Sequence, residues 1–318
     1  MSNKPVGIVG GGLMGAGIAT KFALAGHDAL ILESSPQRRG MIPPVVEAIM
    51  QELLAAGVIS PAAGAAATAR IKLIDGLPAL ATASLVIEAI PEVLAMKQEL
   101  YRELEAVLAP DALLASNTSG FMPDALSADL ARPELFLITH FWNPPHALPL
   151  VEVVPGTRTA PAAIEHVVSV LRDIGAEPVV LRKAVPGFIG NRLQFAIMRE
   201  ALHLVRTGVA DPETIDTVMK TSLGRRYGIV GPFEAADLGG LETFLRVATH
   251  LLPAMASDGR ELEVLQAHVD RGEKGAASGR GFYEWTEARR EAVRQKRITH
   301  QLKGGAARVD SPKPESCS

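Results

Sequence analysis

Over the first 180 positions, apolar residues come in short runs separated by longer stretches with helical spacing. Val6 to Val9 is such a run and enters Gly10-Gly11-Gly12. Leu13 to Ala25 then repeats its apolar positions with a helical period and stops at Gly26, a natural helix C-terminus. Ala29 to Leu32 is a second run and closes on Glu33, and Val45 to Ala56 has an amphipathic helical pattern. Further runs lie at Leu85 to Ile90, Ala112 to Ala115, Leu135 to Thr139, Val151 to Val154 and Pro178 to Leu181, with helical stretches at Leu94 to Leu108 and Pro161 to Ile174. Short apolar strands alternating with helices predict an α/β domain with a mainly parallel sheet covered on both faces.

The pattern changes near Ala184-Val185-Pro186-Gly187. Phe188 to Gly208, Pro212 to Met219, Leu241 to Leu252 and Glu261 to Val269 all have helical spacing, and no strand pattern accompanies them. Trp285 to Lys303 is a charged helix. The chain therefore divides into residues 1–185, an all-helical second domain over 186–303, and a small, polar, proline-containing segment, Gly304 to Ser318, expected to be a disordered tail.

Composition narrows the function classes. The 318 residues suffice for two domains, and 47% hydrophobic with 21% charged lies in the globular range. A net charge of −3 gives no bulk attraction to nucleic acid or an anionic membrane. No apolar run approaches the roughly 20 residues that span a bilayer. The single cysteine, Cys317, excludes an intrachain disulfide, which agrees with a reducing cytoplasm. No metal is called for.

Gly10-Gly11-Gly12-Leu13-Met14-Gly15 has G-x-G-x-x-G spacing between the first strand and the first helix, the setting that dinucleotide binding requires. Gly10 permits the tight turn, Gly12 lets the backbone approach a pyrophosphate, and Gly15 lets helix and strand pack closely. Leu13 and Met14 open the helix whose free amides face the phosphates. Glu33, at the end of the second strand, is placed to accept hydrogen bonds from both adenosine ribose hydroxyls. It would repel a 2′-phosphate by roughly 4 kcal/mol at ~4 Å and an effective dielectric near ~20, so the expected cofactor is NAD. Arg38 and Arg39, just beyond it, read as a solvated helix start.

Chemistry-bearing residues cluster at strand ends. Ser116-Asn117-Thr118-Ser119 follows one strand, and His140 ends another before Phe141-Trp142-Asn143-Pro144-Pro145. Carboxyl ends of parallel strands are where ligands bind in such sheets. Glu152 lies inside the apolar run Leu150-Val151-Glu152-Val153-Val154, where a carboxylate is costly without a partner, and a histidine on the neighbouring strand supplies one. A Glu–His pair orients the imidazole and raises its basicity, which suits removal of an alcohol proton as hydride leaves.

These motifs, together with Pro186-Gly187-Phe188-Ile189-Gly190-Asn191-Arg192, resemble the 3-hydroxyacyl-CoA dehydrogenase family, in order and with consistent spacing from residue 5 to about Trp285. The resemblance implies a Rossmann-type domain followed by a helical domain that mediates homodimerisation. It implies His140 as general acid/base with Glu152 as its partner, Ser116 and Asn191 positioning substrate oxygens, Asn143 lining the same pocket, and Glu92 and Lys97 near the cofactor. The reaction expected is reversible oxidation of a 3-hydroxyl to the ketone.

The substrate is read from departures. Basic residues suited to CoA phosphates are usual in acyl-CoA members after the second strand, yet no Lys or Arg occurs between Gly40 and Ala69. Gly224-Arg225-Arg226-Tyr227-Gly228 is similar to the L-gulonate 3-dehydrogenase (lambda-crystallin) and carnitine dehydrogenase branches, which act on small free acids. Arg226 is then expected to pair with a substrate carboxylate. His146 has a weaker claim to touch substrate. Ser278-Gly279-Arg280-Gly281-Phe282-Tyr283 retains the ending of acyl-CoA members, so a 3-hydroxybutyryl-CoA dehydrogenase is the alternative. A catalytically silent NAD-binding structural or sensor protein is the alternative of another class, and retention of both His140 and Glu152 argues against it.

Overall fold

The computed structural model describes residues 4–257 and 259–306. They fall into two compact units, one running to Ile189 and resuming at Arg294, the other Gly190–Val293. The first unit therefore takes back the last part of the chain, which sequence periodicity had assigned to the helical domain. Gly304 to Ala306, expected to begin a tail, continue a helix, and the rest of that expected tail, with Cys317, lies outside the described residues.

The first unit is built on eight strands: β1 (Val6–Val9), β2 (Ala29–Leu32), β3 (Ile71–Ile74), β4 (Leu85–Glu88), β5 (Leu113–Ser116), β6 (Phe136–Phe141), β7 (Leu150–Pro155) and β8 (Glu177–Val180). Their order in the sheet is β3-β2-β1-β4-β5-β6-β7-β8, with every pair parallel except β6–β7. Crossovers are made by α1 (Leu13–Leu24), α2 (Pro36–Ala55), α3 (Pro61–Arg70), α4 (Leu94–Val107), the single turn α5 (Pro123–Leu126) and α6 (Pro161–Asp173). β2 and β3 are laid down on one side of β1, and the chain then returns from β3 to place β4 on its other side, so a crevice opens at the carboxyl ends of β1 and β4.

Two apolar clusters lie against the sheet. One joins Ile8, Ile31 and Leu137 to Ile18 and Phe22 of α1 and Val167 and Leu171 of α6. The other joins Val86, Leu114 and Ile138 to Tyr101 and Leu104 of α4. Alternate residues of one strand thus enter opposite clusters, as the period-two geometry of a strand covered on both faces demands.

In this unit β3, α3 and α5 escaped the periodicity, and α2 is longer than its apolar pattern predicts. β3 reads Ile71-Lys72-Leu73-Ile74, and Lys72 interrupts its apolar run. This is an edge strand, where one charge is tolerated; its ammonium lies 2.6 Å from Asp28. α2 begins nine residues before Val45, at Pro36, and continues through Pro43 and Pro44, which would ordinarily end a helix. Ser35 caps its N-terminus and accepts from the Arg38 amide.

The second unit consists of α7 (Gly190–Arg206), α8 (Pro212–Thr221), α9 (Leu223–Arg226), α10 (Pro232–Gly239), α11 (Leu241–Leu251), α12 (Leu262–Asp270) and the first part of α13 (Glu287–Ala306). Isolated bridges join Gly275 to Arg280 and Arg280 to Glu284. Among its described residues only Leu202, Ala256 and Glu261 are buried. Beyond that unit's end, Ile298 and Leu302 of α13 pack with Ile49 and Leu53 of α2.

Candidate active site

The turn after β1 shows why its glycines are required. Gly10 has φ +102°, and a Cβ there would lie 2.6 Å from the Ala89 carbonyl oxygen. A Cβ on Gly15 would collide with the Gly10 carbonyl oxygen. Around Gly12 nothing stands within 4 Å of where a Cβ would be, so the backbone is open to a close visitor at that point. Leu13 follows, half exposed, at the start of α1. Gly10 and Gly12 line a crevice of about 1000 Å³ together with Glu33, Arg38, Ile90 and Pro91. Open backbone at a helix N-terminus and a carboxylate at the end of the neighbouring strand fit a dinucleotide.

Glu33 is buried and accepts from the Gly11 amide at 3.0 Å, the Ser35 amide at 3.0 Å and Arg38 Nε at 3.2 Å. Burial raises its carboxyl, but the two amides and the Arg38 guanidinium outweigh that and hold it below its ordinary value. Arg38 is exposed in the first turn of α2, as expected of a solvated helix start, and from there it also pairs with Glu33. Arg39 likewise has fixed partners, donating to the Ile74 carbonyl and to Asp75.

At the next strand ends lies a sealed polar cluster. Glu88, Lys97, Tyr101 and Ser116 are each at most 1% exposed. Glu88 accepts from Lys97 Nζ at 2.6 Å, the Ile90 amide at 2.6 Å, the Tyr101 hydroxyl at 2.5 Å and Ser116 Oγ at 2.8 Å, so both carboxylate oxygens are satisfied. Burial, reinforced by the Glu88 charge, pushes the Tyr101 phenol far above its ordinary value, and it remains a donor. Lys97 also reaches the Ile90 carbonyl and Glu92 Oε2, each at 3.3 Å.

Two sequence expectations are corrected here. Ser116 is enclosed and directs its hydroxyl to Glu88, which removes it from a substrate-facing role. Lys97, expected among the cofactor contacts, has three donors and three oxygen partners inside the protein, leaving none for a ligand. Glu92 remains half exposed and accepts from Thr118 Oγ1 and, at 3.2 Å, from the Gly120 amide.

The serine beside the histidine is Ser119. His140 ends β6 with its Nε2 3.1 Å from Ser119 Oγ and its Nδ1 2.8 Å from Glu152 Oε2. His140 and Glu152 are directly paired across the antiparallel β6–β7 ladder. Glu152 further accepts from Trp142 Nε1 at 3.3 Å and the Ile189 amide at 2.8 Å. That amide is delivered by a turn in which Gly187 and Phe188 both have positive φ; the buried Phe188 ring lies 5.4 Å from the imidazole. With Nδ1–H directed at a carboxylate, Nε2 keeps its lone pair, accepts from Ser119 and is the ring's basic atom. Neither Ser119 nor the Ile189 amide was singled out from sequence. The motif 116–119 was found, but only the turn decides that Ser116 enters the core and Ser119, three residues on, meets the histidine.

Asn143 is exposed beside the His140 strand end, in a cis Asn143–Pro144 peptide. The His146 side chain is enclosed, 3.3 Å from Glu52, and burial holds its imidazole below the ordinary value. Asn191 lies in the first turn of α7 and Arg226, exposed, at the end of α9, both in the second unit.

Comparison with known proteins agrees with this geometry. Residues 5–185 match the family model of the 3-hydroxyacyl-CoA dehydrogenase NAD binding domain, and residues 187–285 that of the 3-hydroxyacyl-CoA dehydrogenase C-terminal domain. The chain is 31% identical, over 92% of its length and 94% of the relative's, to the 5-formyl-3-hydroxy-2-methylpyridine 4-carboxylate 5-dehydrogenase of Mesorhizobium japonicum. A solved structure of an enzyme so described, an NAD+-dependent dismutase, superposes with TM-score 0.85 at 31% identity, covering 94% of this chain and 96% of that one. The L-carnitine dehydrogenase of Burkholderia mallei is 34% identical over 86% of this chain and 85% of its own. The (S)-3-hydroxybutyryl-CoA dehydrogenase structure from Ralstonia eutropha gives TM-score 0.73 at 29% identity, covering 90% of this chain and all of that one.

Proposed function

The chain belongs to the 3-hydroxyacyl-CoA dehydrogenase family, and from that premise we propose that it reversibly oxidises the 3-hydroxyl of a small free hydroxy acid, with His140 as the base. It is an NAD-dependent oxidoreductase acting on a CH–OH group. When bound, NAD accepts the hydride from the carbinol carbon. Gly10 and Gly15 shape the turn whose backbone at Gly12, Leu13 and Met14 would hold its pyrophosphate, and Glu33 would hold its adenosine ribose, with Glu92 bordering that site. His140 Nε2 takes the hydroxyl proton, and Glu152 stabilises the imidazolium that results. Ser119 donates to the same substrate oxygen from its place beside Nε2. Asn143 and Asn191 hold neutral oxygens, and Arg226 the carboxylate.

The reaction rests on one observation: an imidazole fixed by Glu152 at Nδ1 and facing a serine at Nε2. The substrate class is supported by the relatives named for a pyridine carboxylate and for carnitine, and by the absence of Lys and Arg from Gly40 to Ala69, within α2 and α3. The TM-score of 0.85 against 0.73 for the CoA-ester enzyme points the same way. The working form proposed is a cytoplasmic homodimer; exposed Ile229, Phe233 and Leu238 in the second unit support a second copy as the cover. Among the described residues no helix is long and apolar enough to cross a membrane.

The test is NADH formation with 3-hydroxybutyrate, L-carnitine and (S)-3-hydroxybutyryl-CoA, by wild type and Arg226→Met. A free acid is expected to be preferred, and Arg226→Met to lower kcat/KM for it about 30-fold while changing the ester less than about threefold. Preference for the ester with equal losses on both overturns the free-acid reading in favour of a 3-hydroxybutyryl-CoA dehydrogenase.

A further inference from the structure

The four residues 116–119 have four different partners. Ser116 Oγ donates to Glu88, and Asn117 Oδ1 accepts from the amide of Phe141, the residue after His140, at 2.8 Å. Thr118 Oγ1 donates to Glu92, and Ser119 Oγ meets His140 Nε2. Ser116 and Asn117 tie the turn to the ends of β4 and β6. Ser119 itself is exposed, and so is Gly120 after it. What holds Ser119 in place must therefore come from its immediate neighbours.

Thr118 is the neighbour built for that. It is 1% exposed, and its hydroxyl accepts from the Phe121 amide at 3.1 Å and the Gly120 amide at 3.3 Å while donating to Glu92. Glu92 Oε1 also takes the Gly120 amide, so the turn is gripped on both sides of Ser119. Glu92 in turn is held at Oε2 by Lys97, whose ammonium is anchored on the buried Glu88. A continuous polar path runs from Tyr101 and Glu88 through Lys97, Glu92 and Thr118 to the serine at the imidazole.

We propose that Thr118, stapled to Glu92, is a positioning residue that sets Ser119 Oγ against His140 Nε2, and that Lys97 acts on catalysis through this staple. The inference rests on the reading of His140 as the base. An oxygen displaced by about 1 Å from its reacting partner can lower turnover up to about a hundredfold, so a hydroxyl that never touches substrate can still govern kcat.

The experiment is a double-mutant cycle on kcat, using whichever of 3-hydroxybutyrate, L-carnitine or (S)-3-hydroxybutyryl-CoA the wild type turns over fastest. NAD affinity is followed in parallel by titration. Thr118→Val keeps the shape and removes the hydroxyl; it is expected to lower kcat about tenfold, whereas in a Ser119→Ala background it lowers kcat less than about twofold. Thr118→Ser restores the hydroxyl and should return most of the loss, with NAD affinity unchanged throughout. Glu92→Gln, at a half-exposed position, weakens the staple from its other end while keeping a side-chain oxygen for Lys97, and its effect on kcat is expected to be non-additive with Ser119→Ala in the same way. Equal losses with and without Ser119, or a loss confined to NAD affinity, overturns the proposal. Near-normal turnover in His140→Ala would instead remove the base on which it rests, an outcome separate from the cycle.

Discussion

The first unit encloses an ion pair at no more than 1% exposure and satisfies it completely, while the second leaves Phe195 61%, Ile229 86%, Phe233 86% and Leu238 79% exposed. Glu88 and Lys97 survive inside because five neighbouring groups complete their hydrogen bonds; a charge so placed without partners would cost several kcal/mol. The first unit is thus finished within one chain. In the second, helices such as α11 carry apolar residues that stay exposed among the described residues, and a patch of that kind supports an interaction surface. On the proposed reading, proton transfer belongs to the first unit, and the exposed apolar part is where assembly is expected.

That contrast can be broken at three points. The largest effect is expected in the first unit. His140→Ala should lower kcat about a thousandfold while NAD affinity stays near wild type; Glu152 loses one partner but keeps Trp142 and the Ile189 amide, so the protein is expected to stay folded with a lower melting temperature. Turnover within tenfold of wild type would show that the base lies elsewhere.

The next effect belongs to the second unit. Phe233→Glu places a charge on the exposed apolar face and should weaken self-association about a hundredfold, seen as a shift from dimer to monomer by light scattering at micromolar concentration. A wild type that is monomeric under those conditions would refute the assembly reading. It would leave the first-unit chemistry untouched.

The smallest concerns Glu33. Glu33→Gln should weaken NAD about tenfold, measured by titration, since a carboxylate acceptor for two ribose hydroxyls is replaced by an amide. It should also flatten the acid limb of stability. Because the folded carboxyl is held below its ordinary 4.5, its contribution is complete above that value and is lost as pH falls through the lower folded value. An unchanged acid limb in Glu33→Gln, followed by circular dichroism, would show that the amide and Arg38 bonds do not set that charge.

The glycine turn, the alternation of strands and helices, and the His140–Glu152 pair were all readable because each follows from nearby residues or from a costly carboxylate in an apolar run. β3 was not, since one lysine on an edge strand cancels a four-residue signal. Nor was Ser119 separable from Ser116: four consecutive polar residues give no hint of which faces the interior, and that depends on the path of the turn against β6 and Glu92. The role of Lys97 failed for a related reason. A cation near a ligand-binding motif suggests a ligand contact, but this one is buried and held by the protein's own Glu88 and Glu92.

The antiparallel β6–β7 pairing has a consequence for how this activity arises in a newly made chain. His140 and Glu152 are opposite one another only because the ladder closes in one register. A slip of a single residue would send one of the two side chains to the opposite face of the sheet. The one antiparallel pairing among the described strands of the sheet therefore also builds the imidazole–carboxylate pair, so turnover during refolding cannot recover before that ladder closes in register.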